Sequence, residues 1–297
     1  MTEGFLKKSG PFKKGDFTGA FLQAGVSELT MAALSTGMAL HGGVIPVCAT
    51  FFAFSDYMKP AIRVAALMEQ PVKFIWTHDA FRVGEDGPTH QPIEQEAQLR
   101  LLEKLHNHSG QPSFIALRPG DSAETLAAYQ FILNTNDKPT GLILSRQNIT
   151  DIPALKKDRL TEAAQLTKGA YAVYHSSDQP DIILLANGSE VATLFEAKPI
   201  LEKQYNLKVN IVSVPSEGLF RQQPESYQKR IIPEEVPIFG LTAGLPVTLE
   251  NLVPKNGKVF GMTHFGFSAP YTVLDKEFGY TADNVVNQVL ELLQISK

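Results

Sequence analysis

A chain of 297 residues with 27 Lys and Arg against 31 Asp and Glu, a formal charge of −4, carries neither a broad basic footprint for nucleic acid nor an acidic tail. Its composition is that of a globular protein long enough for about two domains with separate cores. The one cysteine excludes an internal disulfide and makes a cytoplasmic setting the default, Met1-Thr2-Glu3-Gly4 lacks the basic-then-apolar order of a signal peptide, and no apolar stretch nears the roughly 18 residues that span a bilayer.

Residues 27–41 put Leu29, Ala32, Ala33, Met38 and Leu40 on a mostly apolar helix that stops at Gly42-Gly43, a common C-terminal signal. A strand is expected over Val44–Phe51, with Cys48 in that run as a small buried hydrophobe. Ser55 is placed to cap a helix through Met68, and Pro71 introduces the short apolar run Val72–Thr77. The alternation repeats as Glu94–Leu105 with Phe114–Leu117, then Ser122–Asn134 with Gly141–Leu144. Short apolar strands alternating with helices predict a parallel sheet covered on both faces.

From Gln147 to about Lys168 the pattern lapses into a polar stretch that reads as an interdomain connection. Alternation then resumes: a strand at Asp181–Ala186, a helix opened and capped by Gly188-Ser189-Glu190, strands at Lys208–Val214 and Val259–Met262, and a closing helix over Ala282–Leu293. The expected fold class is α/β, with two domains that are each a mostly parallel sheet flanked by helices. The pairs Lys7-Lys8 and Lys13-Lys14 read as solvated surface.

Residues that could carry chemistry concentrate in Gly84-Glu85-Asp86-Gly87-Pro88-Thr89-His90-Gln91-Pro92, a loop that follows the apolar run ending near His78. Loops leaving buried strands are common places for function. With His78 and Asp79 the segment holds five titratable groups within thirteen positions, yet it has neither a His-Glu-x-x-His helix nor a Cys pair, so acid–base work and polar recognition fit better than a metal. Glu28, at a helix start, suits either the helix dipole or proton exchange with a ring nitrogen. Phe51, Phe54 and Tyr57, spaced three apart, suit either a core or a partly open pocket for a flat ring. Arg146 follows an expected strand end, where it could hold a phosphate or cap the surface.

Taken in order and spacing, Gly25-Val26-Ser27-Glu28, Thr50-Phe51-Phe52-Ala53-Phe54, Thr77-His78-Asp79, Gly84–Pro92 and Leu144-Ser145-Arg146-Gln147-Asn148 resemble a transketolase. The likeness continues through Ala186–Val191, Ser213–Ser216 and Gly279–Asn284 and so covers nearly the whole chain. It implies a pyrimidine-binding domain at residues 1–150, incomplete at its N-terminus, a linker at 151–166 and a C-terminal domain at 167–297. It also implies transfer of a two-carbon ketol unit from a ketose phosphate to an aldose phosphate, in the pentose phosphate pathway, with thiamine diphosphate and Mg2+ or another divalent cation. By the same resemblance Glu28 bonds the aminopyrimidine nitrogen and moves its proton. Phe54 stacks on that ring with Phe51 and Tyr57 completing the pocket, His90 assists proton transfer near the reacting carbonyl, Asp86 reads a sugar hydroxyl, and His78 and Arg146 hold the substrate phosphate.

The Gly-Asp-Gly motif that holds diphosphate and metal in the family is missing; Glu85-Asp86-Gly87 is a near match that belongs to the substrate loop. The expectation is therefore a C-terminal fragment, inactive alone, which a diphosphate-binding domain or subunit completes and which forms a homodimer through the helices Glu28–Met38 and Met58–Met68. The alternatives are a catalytically silent dimerisation or binding module, or a deoxyxylulose-phosphate synthase or dehydrogenase E1 β-type subunit. Thr77-His78-Asp79 and Ser145–Asn148 favour transketolase over the last two. Glu103–Ser113 is longer than the family pattern suggests and reads as a surface excursion.

Overall fold

Helix α1 (Glu28–His41) and strand β1 (Val47–Phe51) open an alternation that continues through α2 (Ser55–Leu67), β2 (Lys73–Thr77), α3 (Gln95–Glu103), β3 (Ile115–Leu117), α4 (Ser122–Asn134) and β4 (Thr140–Ile143) in a computed structural model, which describes residues 7–156 and 158–295. The four strands form one parallel sheet in the order β1-β2-β4-β3. Side chains of a strand alternate between faces, and β2 uses both. Phe74 and Trp76 pack with Phe52, Met58, Ile62 and Phe114, whereas Ile75 packs with Leu117, Ala128, Ile132 and Leu142. Where β4 crosses the first of these cores, Gly141 leaves no room for a side chain: an added Cβ would stand 2.5 Å from the Trp76 ring.

Two local expectations change. Strand β1 begins at Val47 instead of Val44, because Pro46 has no N–H for the ladder and contributes only its carbonyl, which accepts from Lys73 N at 3.0 Å. Ser55 starts α2 without capping it: Phe54 is the N-cap residue, and the Ser55 hydroxyl is buried without a partner among the described residues. The Glu103–Ser113 excursion is anchored at its base, where Glu103 takes the N–H of Ala116 at 2.7 Å.

The expected irregular connection instead contains α5 (Arg159–Ala163), capped by Asp158, and a 3-10 turn over Ala164–Lys168. Arg159 holds it against α4 by donating to Asp121 at 2.6 Å and Glu124 at 3.1 Å. Beyond it lie β5 (Tyr171–His175), β6 (Ile182–Ala186), α6 (Glu190–Tyr205), β7 (Val209–Ser213), α7 (Glu217–Arg221), α8 (Glu225–Ile231), β8 (Ile238–Leu241), α9 (Val247–Glu250), β9 (Lys258–Phe260), α10 (Tyr271–Glu277) and α11 (Ala282–Leu292). The second sheet runs β5-β7-β6-β8-β9 and is parallel except for its edge strand β5, which pairs antiparallel with β7. Strands β5 and β8 were not expected. No helix among the described residues is long and apolar enough to cross a membrane.

Candidate active site

The first sheet brings its candidate residues to one edge. Phe51, the last residue of β1, is in register with Thr77 of β2, and Trp76 is in register with Ile143 of β4. Leu144 N donates to Trp76 O at 2.7 Å, extending the pairing to the turn that carries Arg146. The segments that leave β1, β2 and β4 therefore emerge side by side at the carboxyl end, where ligands of open α/β sheets bind.

At that edge the Phe51 ring stacks on His78 with centroids 3.6 Å apart, and it lies nearly parallel to Phe54 at 6.1 Å and 9°. His90 lies in a T-shaped arrangement with Phe54 at 5.2 Å and with Phe51 at 6.3 Å. Tyr57 forms the rim, tilted against Phe54 at 6.2 Å and 63% exposed. The four inner rings are half-buried, so this is an open aromatic shelf and not a closed core. His78 itself has φ +64°, a left-handed conformation that costs a non-glycine residue energy and marks a position held by its surroundings.

Charge gathers around His78. Burial pushes its imidazole below the ordinary value, the guanidinium of Arg146 pushes it further, Asp86 opposes, and His90 adds a smaller downward push. The ring is thus neutral near pH 7 and within electrostatic reach of three other candidates. Asp86 and Arg146 are exposed. Glu28 is the first residue of α1 and half-buried; the hydroxyl of Thr50, adjacent to Phe51, donates to it over a long 3.5 Å, which is its link to the shelf. Ser27 makes no side-chain cap, so Glu28 is also the carboxylate that faces the helix dipole.

The loop is more ordered than its glycines and prolines suggest. Phe81–Asp86 forms 3-10 turns on both sides of a kink at Gly84, whose φ of 83° and ψ of −121° suit glycine. Gln91 Nε2 donates to Gly84 O and to Phe267 O, each at 3.0 Å, and Ser268 Oγ donates to Glu85 O at 2.6 Å. The second half of the chain therefore clamps the loop that presents Asp86 and His90. Among the described residues, no group of three or more His, Cys, Asp or Glu has the arrangement of a metal site.

A buried ionic cluster behind the site was missed in the sequence. Arg118, following β3, donates through Nε at 3.0 Å and Nη2 at 2.7 Å to Asp79 Oδ2, and through Nη1 to Asn187 Oδ1 at 2.9 Å and Glu190 Oε2 at 2.5 Å. Arg82 donates to Glu190 Oε1 at 2.5 Å and to Asp275 at 2.7 Å. Burial alone would raise the Glu190 carboxyl, but the guanidiniums of Arg118 and Arg82 outweigh it and hold the group below its ordinary range. Nor does Gly188-Ser189-Glu190 act as the expected cap: Ser189 makes no side-chain cap to α6, its hydroxyl facing Arg82, Gln147 and Glu190 instead. The available signal was Arg118 itself, a charged residue directly after a wholly apolar strand.

Two family models match the chain: "Transketolase, pyrimidine binding domain" over residues 4–151 and "Transketolase-like TK C-terminal domain" over residues 169–281. The transketolase of Bacillus subtilis (strain 168) is 40% identical over 290 residues, which is 97% of this chain and 42% of that protein. That of Staphylococcus aureus (strain MW2) is 42% identical over 271 residues, 90% of this chain and 39% of that protein. The chain thus spans about two fifths of the length of these curated relatives. Among solved structures, a transketolase from Leishmania mexicana superposes with a TM-score of 0.85 at 34% identity, covering 96% of this chain and 39% of that one. A split gene transketolase described as an inactive beta4 tetramer shares the fold, with a TM-score of 0.68 at 19% identity over 92% of this chain and 84% of its own.

Proposed function

Because the chain belongs to the transketolase family, carrying that family's pyrimidine-binding and C-terminal domains, we propose that it supplies the pyrimidine side of a site that moves a two-carbon ketol unit from a ketose phosphate to an aldose phosphate. The observation that carries this reading is the shelf of Phe51, Phe54, His78 and His90, with Glu28 tied to it through Thr50. Two parallel, half-buried rings beside a carboxylate fit the flat aminopyrimidine of thiamine diphosphate. When bound, that cofactor supplies the carbon chemistry. The diphosphate and Mg2+ or another divalent cation are assigned to a separate diphosphate-binding segment.

In this reading Glu28 holds and moves a proton at the pyrimidine nitrogen, and Phe54 offers its face with Phe51 and Tyr57 as walls. His90, T-shaped against Phe54, holds or moves a proton at the substrate carbonyl oxygen. Neutral His78 donates a hydrogen bond to the substrate phosphate while Arg146 supplies the charge, and Asp86 accepts from a sugar hydroxyl. The domain limits at 1–150 and 167–297, a cytoplasmic setting and a place in pentose phosphate metabolism belong to the same proposal. So does a homodimer, supported by the exposed apolar face of α1 and α2, where Leu29, Leu34, Leu40, Val64 and Leu67 are 45–60% exposed.

Calorimetry with thiamine diphosphate and magnesium tests the division of labour. The chain alone is expected to bind no tighter than about millimolar, some 4 kcal/mol of binding free energy, and to turn over no substrate. Addition of a relative's diphosphate-binding segment is expected to restore both binding and turnover. Micromolar binding by the chain alone would overturn the assignment.

A further inference from the structure

The candidates His78, Asp86, His90 and Arg146 sit on three separate segments: His78–Asp79 after β2, the stretch Phe81–His90, and Ser145–Gln147 after β4. All three are tied to a single turn of the second half, Asn187–Glu190. The Ser189 hydroxyl accepts from Arg82 Nη1 at 3.0 Å and from Gln147 Nε2 at 3.2 Å, and it donates to Glu190 Oε1 at 3.0 Å. A hydroxyl has one donor and two acceptor positions, and this one uses all three. Arg82 lies two residues before Gly84, where the loop of Asp86 and His90 kinks, and Gln147 is the neighbour of Arg146. The third segment is reached through Arg118, which joins Asn187 and Glu190 to Asp79, the neighbour of His78. Ser189, Glu190, Arg82, Arg118, Gln147 and Asp79 are all buried.

Asp86 and Arg146 are exposed, so their placement depends on the backbone beneath them, which these buried neighbours hold, in the case of Asp86 together with the Gln91 and Ser268 contacts described above. We propose that Ser189 is a positioning residue, whose hydroxyl together with the Glu190 carboxylate sets the separation of His78, the Asp86–His90 loop and Arg146. The second half of the chain thereby determines the shape of a site whose chemical groups belong to the first. The consequence for sugar-phosphate recognition rests on the reading given above; the positioning itself does not.

The test uses the chain as it exists, without ligand, and follows imidazole NMR signals of His78 and His90 assigned through His78→Gln and His90→Gln. The difference in the His78 titration midpoint between the wild type and Arg146→Ala reports how near the guanidinium stands. Ser189→Ala and, from the other side of one of its bonds, Gln147→Leu are each expected to cut that difference to roughly half or less; Ser189→Ala alone, which also removes the contact to Arg82, is expected to shift the His90 signal, and the double variant should add little to Ser189→Ala. Ser213→Ala removes a buried hydroxyl of β7 that has no partner among the described residues, and it is expected to change neither readout. An undiminished Arg146 effect in either folded variant would overturn the proposal, and Gln147→Leu decides it if Ser189→Ala does not fold. A separate titration of the wild type with inorganic phosphate probes the functional reading: a silent His78 there would count against phosphate binding while leaving the positioning result intact.

Discussion

The Arg118 guanidinium grips a single oxygen of Asp79 through two nitrogens, at 2.7 and 3.0 Å, one residue after the histidine that stacks on Phe51. Both side chains are almost wholly buried, at 1% and 2% exposure. Removing one partner of a buried pair leaves the other charge without compensation, and here Glu190 would lose a partner too. Arg118→Leu is therefore expected to cost about 3–5 kcal/mol of folding stability, measured by urea denaturation. A loss under about 1 kcal/mol would mean that the cluster contributes far less than its burial implies.

His78 makes a prediction about pH. Its folded-state value lies below the ordinary 6.5, so in the window beneath 6.5 the unfolded chain binds more protons than the folded one. Stability then rises with pH through that window and falls as the medium is acidified. His78→Gln is expected to flatten this part of the stability profile between pH 7 and 5, measured by denaturant midpoints at several pH values. A steeper profile in the variant would reverse the sign argued here.

On the reading proposed above, cofactor activation and phosphate recognition are expected to separate once a diphosphate-binding segment is supplied. Glu28→Gln keeps the shape but not the carboxylate, and is expected to lower kcat about a hundredfold or more with little change in KM for the sugar phosphate. Arg146→Ala is expected to raise KM for phosphorylated donors by an amount equal to about 1.5–3 kcal/mol, and to affect an unphosphorylated donor such as hydroxypyruvate far less. Steady-state kinetics of both variants on both donors makes the comparison. Equal impairment of the two donors by Arg146→Ala would remove that residue from the phosphate site.

The exposed leucines of α1 are expected to be covered by a second copy of the chain. Light scattering across a concentration series should show a dimer at tens of micromolar, and Leu29→Glu with Leu34→Glu should shift the population toward monomer. A wild type that stays monomeric throughout would leave that face without its assigned partner.

The fold was legible where burial writes itself into short-range pattern. The apolar runs of β2, β6 and β7 are covered on both faces, and each was located to within a residue at either end. Strand β5 escaped because Tyr171–His175 mixes aromatic and polar residues on a sheet edge. Of the aromatic shelf, spacing offered Phe51, Phe54 and Tyr57 as either core or pocket and showed His78 and His90 as a separate cluster; that the two meet is set by the pairing of β1 with β2. The ionic cluster was not legible. Arg82 and Arg118 meet Glu190 across 108 and 72 positions, and an arginine buried by a distant segment looks, in local sequence, like one in solvent.

Gly188 has φ +59°, and a Cβ built on it would stand 2.5 Å from the Arg118 guanidinium carbon. The two halves therefore meet with no slack at this point. A chimera joining this chain's first half to the second half of a relative is expected to keep the Arg118 contacts best if the grafted turn has a glycine there. Gly188 is thus one of the positions at which a mismatched exchange of halves would displace the Arg118 side chain from its partners.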